Sequence, residues 1–186
     1  MKFDRSALLA FILLILAASL YRVWPDRPYG FAPQWAMAIF AGAVIKDKKY
    51  AFLFPLISMF ISDALYQILF SAGSTPIWGF YEGQLTNYIL FGSLVLFGFM
   101  ITRTNAIKII AASLAAPSAY FLISNLLVWT SGGGYMRPKT FSGLMQCYAD
   151  GVPFYQMSLV ATLCFSGVLF GSYYLLKQKE VQHQVA

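Results

Sequence analysis

Charge is what this sequence has least of. Aspartate, glutamate, lysine and arginine together make up 11% of its 186 residues, against about a quarter in an ordinary soluble domain. With 59% hydrophobic residues, the chain cannot cover itself with polar surface, and lipid is the expected solvent. Histidine is nearly absent: His183 stands alone, in the polar C-terminal tail, and reads as solvated and inert. Cysteine is almost as scarce. Cys147 and Cys164 form no C-x-x-C or Cys/His cluster, so no structural zinc site and no other metal is expected. Cys164 reads as a small core residue. Cys147, without an adjacent basic neighbour to lower its pKa, reads as inert. No P-loop is present, so any use of ATP belongs to a partner. The apolar runs hold no histidine to activate a serine, and of the carboxylates only Asp63 lies inside one. The pairs needed for intramembrane proteolysis are missing, and no catalytic residue or cofactor is expected.

What is there in quantity is long apolar runs. They predict an all-α polytopic membrane protein, a single domain over 1–186, with six transmembrane helices at about 6–24, 33–45, 50–72, 86–102, 107–129 and 153–176. Six spans leave no room for a separate soluble domain. The second span is short, reaching about 20 Å at 1.5 Å per residue. The first has the basic start and small residues of a signal peptide, but its apolar run is long for one.

Lysine and arginine set the orientation. Lys2, Arg5, Lys46, Lys48, Lys49, Arg103, Lys108, Lys177 and Lys179 fall on one side, and Arg22, Arg27, Arg137 and Lys139 on the other. The richer side is the cytoplasmic one, which puts both termini in the cytoplasm. The net charge of +6 is then topology signal, and no nucleic-acid partner is called for. The outer loops, 25–32, 73–85 and 130–152, are the long ones, and long loops often carry function.

Polar side chains inside the spans collect toward the outer side: Gln34, Asp63, Gln67, Asn87, Ser124, Asn125, Tyr155, Gln156 and Ser158. All four tryptophans, Trp24, Trp35, Trp78 and Trp129, lie at that end too. One explanation is interfacial belts and helix-to-helix hydrogen bonds. The other is a polar, aromatic-lined cavity open to the outside. Asp63 weighs most, because a carboxylate at the bilayer centre costs about 2.5–3.5 kcal/mol, and Arg22 or Arg27 is placed to neutralise it. Ala38/Gly42, Ala111/Ala115 and Ala112/Ala116 are small-residue pairs suited to close helix contact. Pro55 and Pro117 are expected to bend their helices.

Several stretches are familiar: 31–43 (FAPQWAMAIFAGA), 55–63 (PLISMFISD), 124–129 (SNLLVW), 143–148 (GLMQCY) and 152–155 (VPFY). Together they resemble an uncharacterised bacterial family classed with membrane transport proteins, which is similar to the S components of energy-coupling-factor (ECF) transporters. The resemblance implies a six-helix subunit of the bacterial inner membrane that captures a vitamin or vitamin precursor from the outer side. It also implies partners: a small-molecule substrate, the lipid bilayer, and an ECF-type coupling protein with paired ATPases. On that basis Gln34, Asp63 and Asn125 are expected to hydrogen-bond the cargo, or to set the pocket's shape from behind its lining. Trp35, Trp129 and Tyr135 are expected to pack on it, Tyr155 completes the substrate-binding set, and the loop from Thr130 forms a lid hinged at Gly132-Gly133-Gly134. The alternative is a membrane scaffold or assembly protein without cargo, in which the outer polar groups pair with one another and leave no cavity.

Overall fold

The computed structural model describes the backbone of residues 5–102 and 105–185 and the side chains of 11–102 and 105–177. Lys2 and Arg103, and the side chains of Arg5, Lys179 and His183, lie outside the described residues. Seven helical segments follow in order: α1 Arg5–Arg22, α2 Gln34–Val44, α3 Lys48–Ser71, α4 Gln84–Ser93, α5 Val95–Phe99, α6 Ala106–Ser131 and α7 Phe141–Val185. No strand occurs among the described residues. Counting α4 and α5 as one interrupted segment leaves six, in the order the apolar runs predict.

The helix ends follow local chemistry. The side chain of Asp47 accepts from the Lys49 N–H at 3.0 Å and starts α3. Asn105 does the same for α6 through the Lys108 N–H, and α6 ends on Gly132 in the left-handed region (φ 81°). Pro55 and Pro117 sit inside α3 and α6 and are buried.

The sixth element corrects the sequence expectation. α7 begins at Phe141, twelve residues before the expected 153, and the outer loop shrinks to 132–140. Pro153 looks like a helix start but lies within α7. The true start is Thr140, whose Oγ1 accepts from the Gly143 N–H at 3.1 Å. The added turns pack antiparallel on the C-terminal half of α6. The Tyr148 hydroxyl donates to the Leu122 carbonyl at 3.1 Å, and Cys147 is buried against Asn125. Cys164 is exposed on α7 rather than in the core, because it faces away from the neighbouring helices.

α2 is the axis of the bundle. Eleven residues span about 16 Å, and Ala36 through Gly42 are all buried. α3, α5, α6 and α7 enclose it, and α1 packs on α3. Of the small-residue pairs, Ala38/Gly42 and Ala112/Ala116 are buried, whereas Ala111/Ala115 faces outward. The tightest contact is α2 on α5. A Cβ on Gly42 would meet the Val95 carbonyl oxygen at 2.2 Å, and one on Gly98 would meet the Ile39 oxygen at 2.1 Å. Backbone touches backbone here, so neither side can yield.

Three segments are long and apolar enough to cross a membrane: Lys48–Ser71, Ala106–Ser131 and Phe141–Lys177. Large apolar side chains, among them Leu13, Leu20, Ile107, Leu122, Phe154 and Val168, stand exposed around the bundle.

Gly42→Ala and Gly98→Ala are each expected to destabilise the protein by about 2 kcal/mol through overpacking. Gly171→Ala, where a new Cβ meets nothing within 4 Å, is expected to be harmless. Unfolding midpoints of the three variants in detergent check this.

Candidate functional site

The end of the bundle that carries the 23–33, 72–83 and 132–140 connections is built around Asp63. This residue lies two thirds of the way along α3 and is 2% exposed. Arg22, the last residue of α1, donates through Nη1 to Asp63 Oδ1 and, at 2.6 Å, to Ser62 Oγ. The other carboxylate oxygen, Oδ2, accepts from Gln84 Nε2 and from the Tyr88 hydroxyl, both at 2.7 Å. Gln84 and Tyr88 stand one turn apart on α4 and so share a face. Three helices are thereby tied to one carboxylate, and both of its oxygens are spent inside the protein.

The connections are fastened to the same point. Arg27 Nε donates to the Arg22 carbonyl at 3.0 Å, and its Nη1 donates to the Phe31 and Pro28 carbonyls at 3.2 and 3.3 Å. The Tyr66 hydroxyl, one turn beyond Asp63, donates to the Arg22 carbonyl at 2.7 Å and accepts from Arg27 Nη2 at 3.3 Å. The 72–83 loop lies directly on α3: a Cβ on Gly79 would meet the Asp63 carbonyl oxygen at 2.0 Å. Only glycine allows that approach. Gln84 Nε2 also reaches the Gly79 oxygen at 3.0 Å, and the Phe80 N–H donates to Gln67 Oε1 at 3.4 Å.

Beside this lock is a cavity of about 230 Å³. Arg22, Arg27 and Tyr29 border it on one side, and Gln34, Trp35 and Met59 form its inner wall. Tyr66, Ile77, Asn87, Tyr120 and Ser158 complete the lining. Trp35 packs on Tyr120 with ring centroids 4.5 Å apart. The Tyr120 hydroxyl donates to Asn87 Oδ1. Gln34 is 2% exposed, and its Nε2 donates to the Ala18 carbonyl at 2.9 Å. Its Oε1 has no hydrogen-bond partner, the one such buried side-chain atom among the described residues. That oxygen is itself buried from solvent and does not open onto the cavity, which other atoms of Gln34 line.

A second, larger hollow of about 620 Å³ lies between α4 and α6. Tyr81, Glu82, Thr86 and Leu90 line one side, and Ser124, Leu127, Val128 and Ser131 the other. It also touches Asn87 and Tyr120, so that hydrogen-bonded pair is the wall between the two spaces. The Tyr81 phenol in the 72–83 loop is held above its ordinary pKa, first by partial burial and then by the charge of Asp63.

The seven residues expected at the site separate into three groups. Gln34 and Trp35 line the cavity. Asp63 stands one contact behind it, screened by Arg22. Asn125, Trp129, Tyr135 and Tyr155 are not at the cavity. Asn125 Nδ2 donates to the Phe121 carbonyl at 2.8 Å and abuts Gly151. Tyr155 stacks on Phe121 and bonds the Ser118 hydroxyl at 2.8 Å. Trp129 Nε1 donates to the Pro138 carbonyl at 2.9 Å, fastening the 132–140 loop, with Lys139 over its ring. Tyr135 is 78% exposed beside Arg137, which pairs with Asp150 at 2.8 Å. The early start of α7 is the reason: its first turns cover the face of α6 that a longer loop would have left open.

Sequence reasoning missed Tyr66, Gln84, Tyr88 and Tyr120. The first three had a signal, since Tyr66 stands one turn from Asp63 and Gln84 one turn from Tyr88. Tyr120 had none. Among the described residues no three His, Cys, Asp or Glu side chains cluster as metal ligands would.

Asp63→Asn leaves Arg22 largely buried and uncompensated, and is expected to cost about 3 kcal/mol, near the low end for breaking a buried pair because Arg22 keeps some exposure. Adding Arg22→Gln is expected to recover part of that loss. A double-mutant cycle on unfolding midpoints checks it, and additive losses would rule out the coupling.

Neither a curated protein nor a solved structure matches the chain. A family profile covers residues 2–184. The chain therefore belongs to the family of unknown function DUF6580.

Proposed function

We propose that this protein crosses the bacterial inner membrane six times and binds a small molecule in the cavity beside Asp63, entering from the outer side in the manner of an ECF S component. The observation that carries the binding role is the cavity of about 230 Å³ itself, lined by Trp35, Tyr66 and Tyr120 and bordered by Arg22 and Arg27. An unfilled hollow costs packing, so a bundle built only to hold itself together would fill it.

The membrane part is supported by the three long apolar helices and by the apolar side chains exposed around the bundle. The short α2 needs no lipid-facing length, because protein surrounds it. Lys46, Lys48, Lys49 and Lys108 sit at the end opposite the cavity, which fits a cytoplasmic placement of that end. Energy for release would come from partner proteins, a coupling subunit and ATPases.

A scaffold without cargo is the second reading, and Asp63 favours it, because its carboxylate is consumed by Arg22, Gln84 and Tyr88. The cavity weighs against it.

Mass spectrometry of small molecules carried through gentle purification separates the two. Wild-type protein is expected to retain one defined compound, Trp35→Ala and Gln34→Leu to lose it, and Tyr135→Ala to keep it. A cavity that retains nothing in any variant, with no melting shift across a metabolite panel, would support the scaffold. In a background lacking native cysteines, Tyr29→Cys is expected to react with an impermeant maleimide added outside cells, and Lys48→Cys only after permeabilisation.

A further inference from the structure

The charges around the cavity narrow its occupant. Two guanidinium groups, Arg22 and Arg27, line it, and the one carboxylate within reach is Asp63. Asp63 neutralises Arg22 only. Every hydrogen bond of Arg27 goes to a neutral oxygen: the carbonyls of Arg22, Pro28 and Phe31 and the hydroxyl of Tyr66. Among the described residues Arg27 makes no ion pair, and the neighbouring Asp26 is exposed. Glu82 belongs to the other hollow, beyond the Asn87–Tyr120 wall. The cavity therefore holds one unbalanced positive charge. The contacts of Arg22 to Ser62 and Asp63 both use Nη1, so its Nε and Nη2 edge is not spent on them. That edge is the fork that matches a planar carboxylate.

Size sets a second requirement. About 230 Å³ falls below the roughly 300–1,000 Å³ of drug-sized sites. Nucleotides, flavins and macrocycles are too large. One ring with small substituents fits that volume.

Resting on the small-molecule reading above, we propose that the occupant is a single-ring organic monoanion, with its carboxylate on the Arg22 and Arg27 side.

Four probes of nearly one size test this on the full-length protein in nanodiscs by equilibrium dialysis: 4-aminobenzoate, 4-aminobenzamide, 4-aminobenzylamine and benzoate. 4-Aminobenzoate is expected to bind at least about tenfold tighter than the amide, with the amine weakest. Raising the salt from 50 to 500 mM is expected to narrow that gap by screening. Benzoate is expected to share the acid's preference over the amide. Arg27→Gln is expected to bring acid and amide within about threefold. Should that variant not fold, the salt arm decides. Amide or amine binding as tightly as the acid overturns the anion assignment and leaves the small-molecule reading standing. No binding by any probe also overturns it, and the retained-compound measurement then decides whether the small-molecule reading falls too.

Discussion

A carboxylate and a guanidinium buried side by side hold one end of this bundle, and most of what lies at that end is placed relative to them. Taking Asp63 and Arg22 out of water costs several kcal/mol per ion, and their attraction offsets it only when the remaining hydrogen-bonding capacity is filled. On the carboxylate it is filled here, by Gln84 and Tyr88 on the second oxygen, and Ser62 takes a hydrogen bond from the guanidinium. The network fixes the end of α1, the C-terminal part of α3 and the start of α4 together, and through the Arg22 carbonyl it fixes Arg27 and the 23–33 connection.

The cavity is a consequence of that arrangement. Arg22 turns one edge to Asp63 and borders the open space with the rest, so the lock and the site share a residue. Its floor comes from α2, held in register at the opposite end by the glycine contact with α5. A cavity walled by elements pinned at both ends keeps its shape, which is the condition for groups such as the Arg22 and Arg27 guanidiniums to discriminate between ligands.

The α6/α7 pair does different work. Phe121, Asn125, Cys147, Tyr148, Gly151 and Tyr155 form a continuous seam. Residues whose polarity looked functional in isolation satisfy helix carbonyls or each other there, as polar side chains between apolar helices do. The hollow between α4 and α6 lies beyond that seam and is separated from the small cavity by two side chains only, Asn87 and Tyr120.

The sequence by itself determined the helices and their order, because hydropathy is a local property and each apolar run declares itself. It also made Asp63 the residue to explain and named Arg22 as a candidate neutraliser, since a charge inside an apolar run demands a partner. Gln34 and Trp35 were legible for the same reason, being polar or amphipathic at the mouth of a buried helix. Tertiary structure alone decided which polar residues face the cavity and which face a neighbouring helix. Pro153 hid the first turns of α7, and those turns cover Asn125; Tyr155 is turned onto Phe121 and Ser118 of α6, and a carbonyl of the short loop, at Pro138, takes the Trp129 N–H. Tyr120 carries no mark in the sequence. Its role depends on where α6 stands against α2 and α4, and packing across the bundle sets that distance, not the residues on either side of it in the chain.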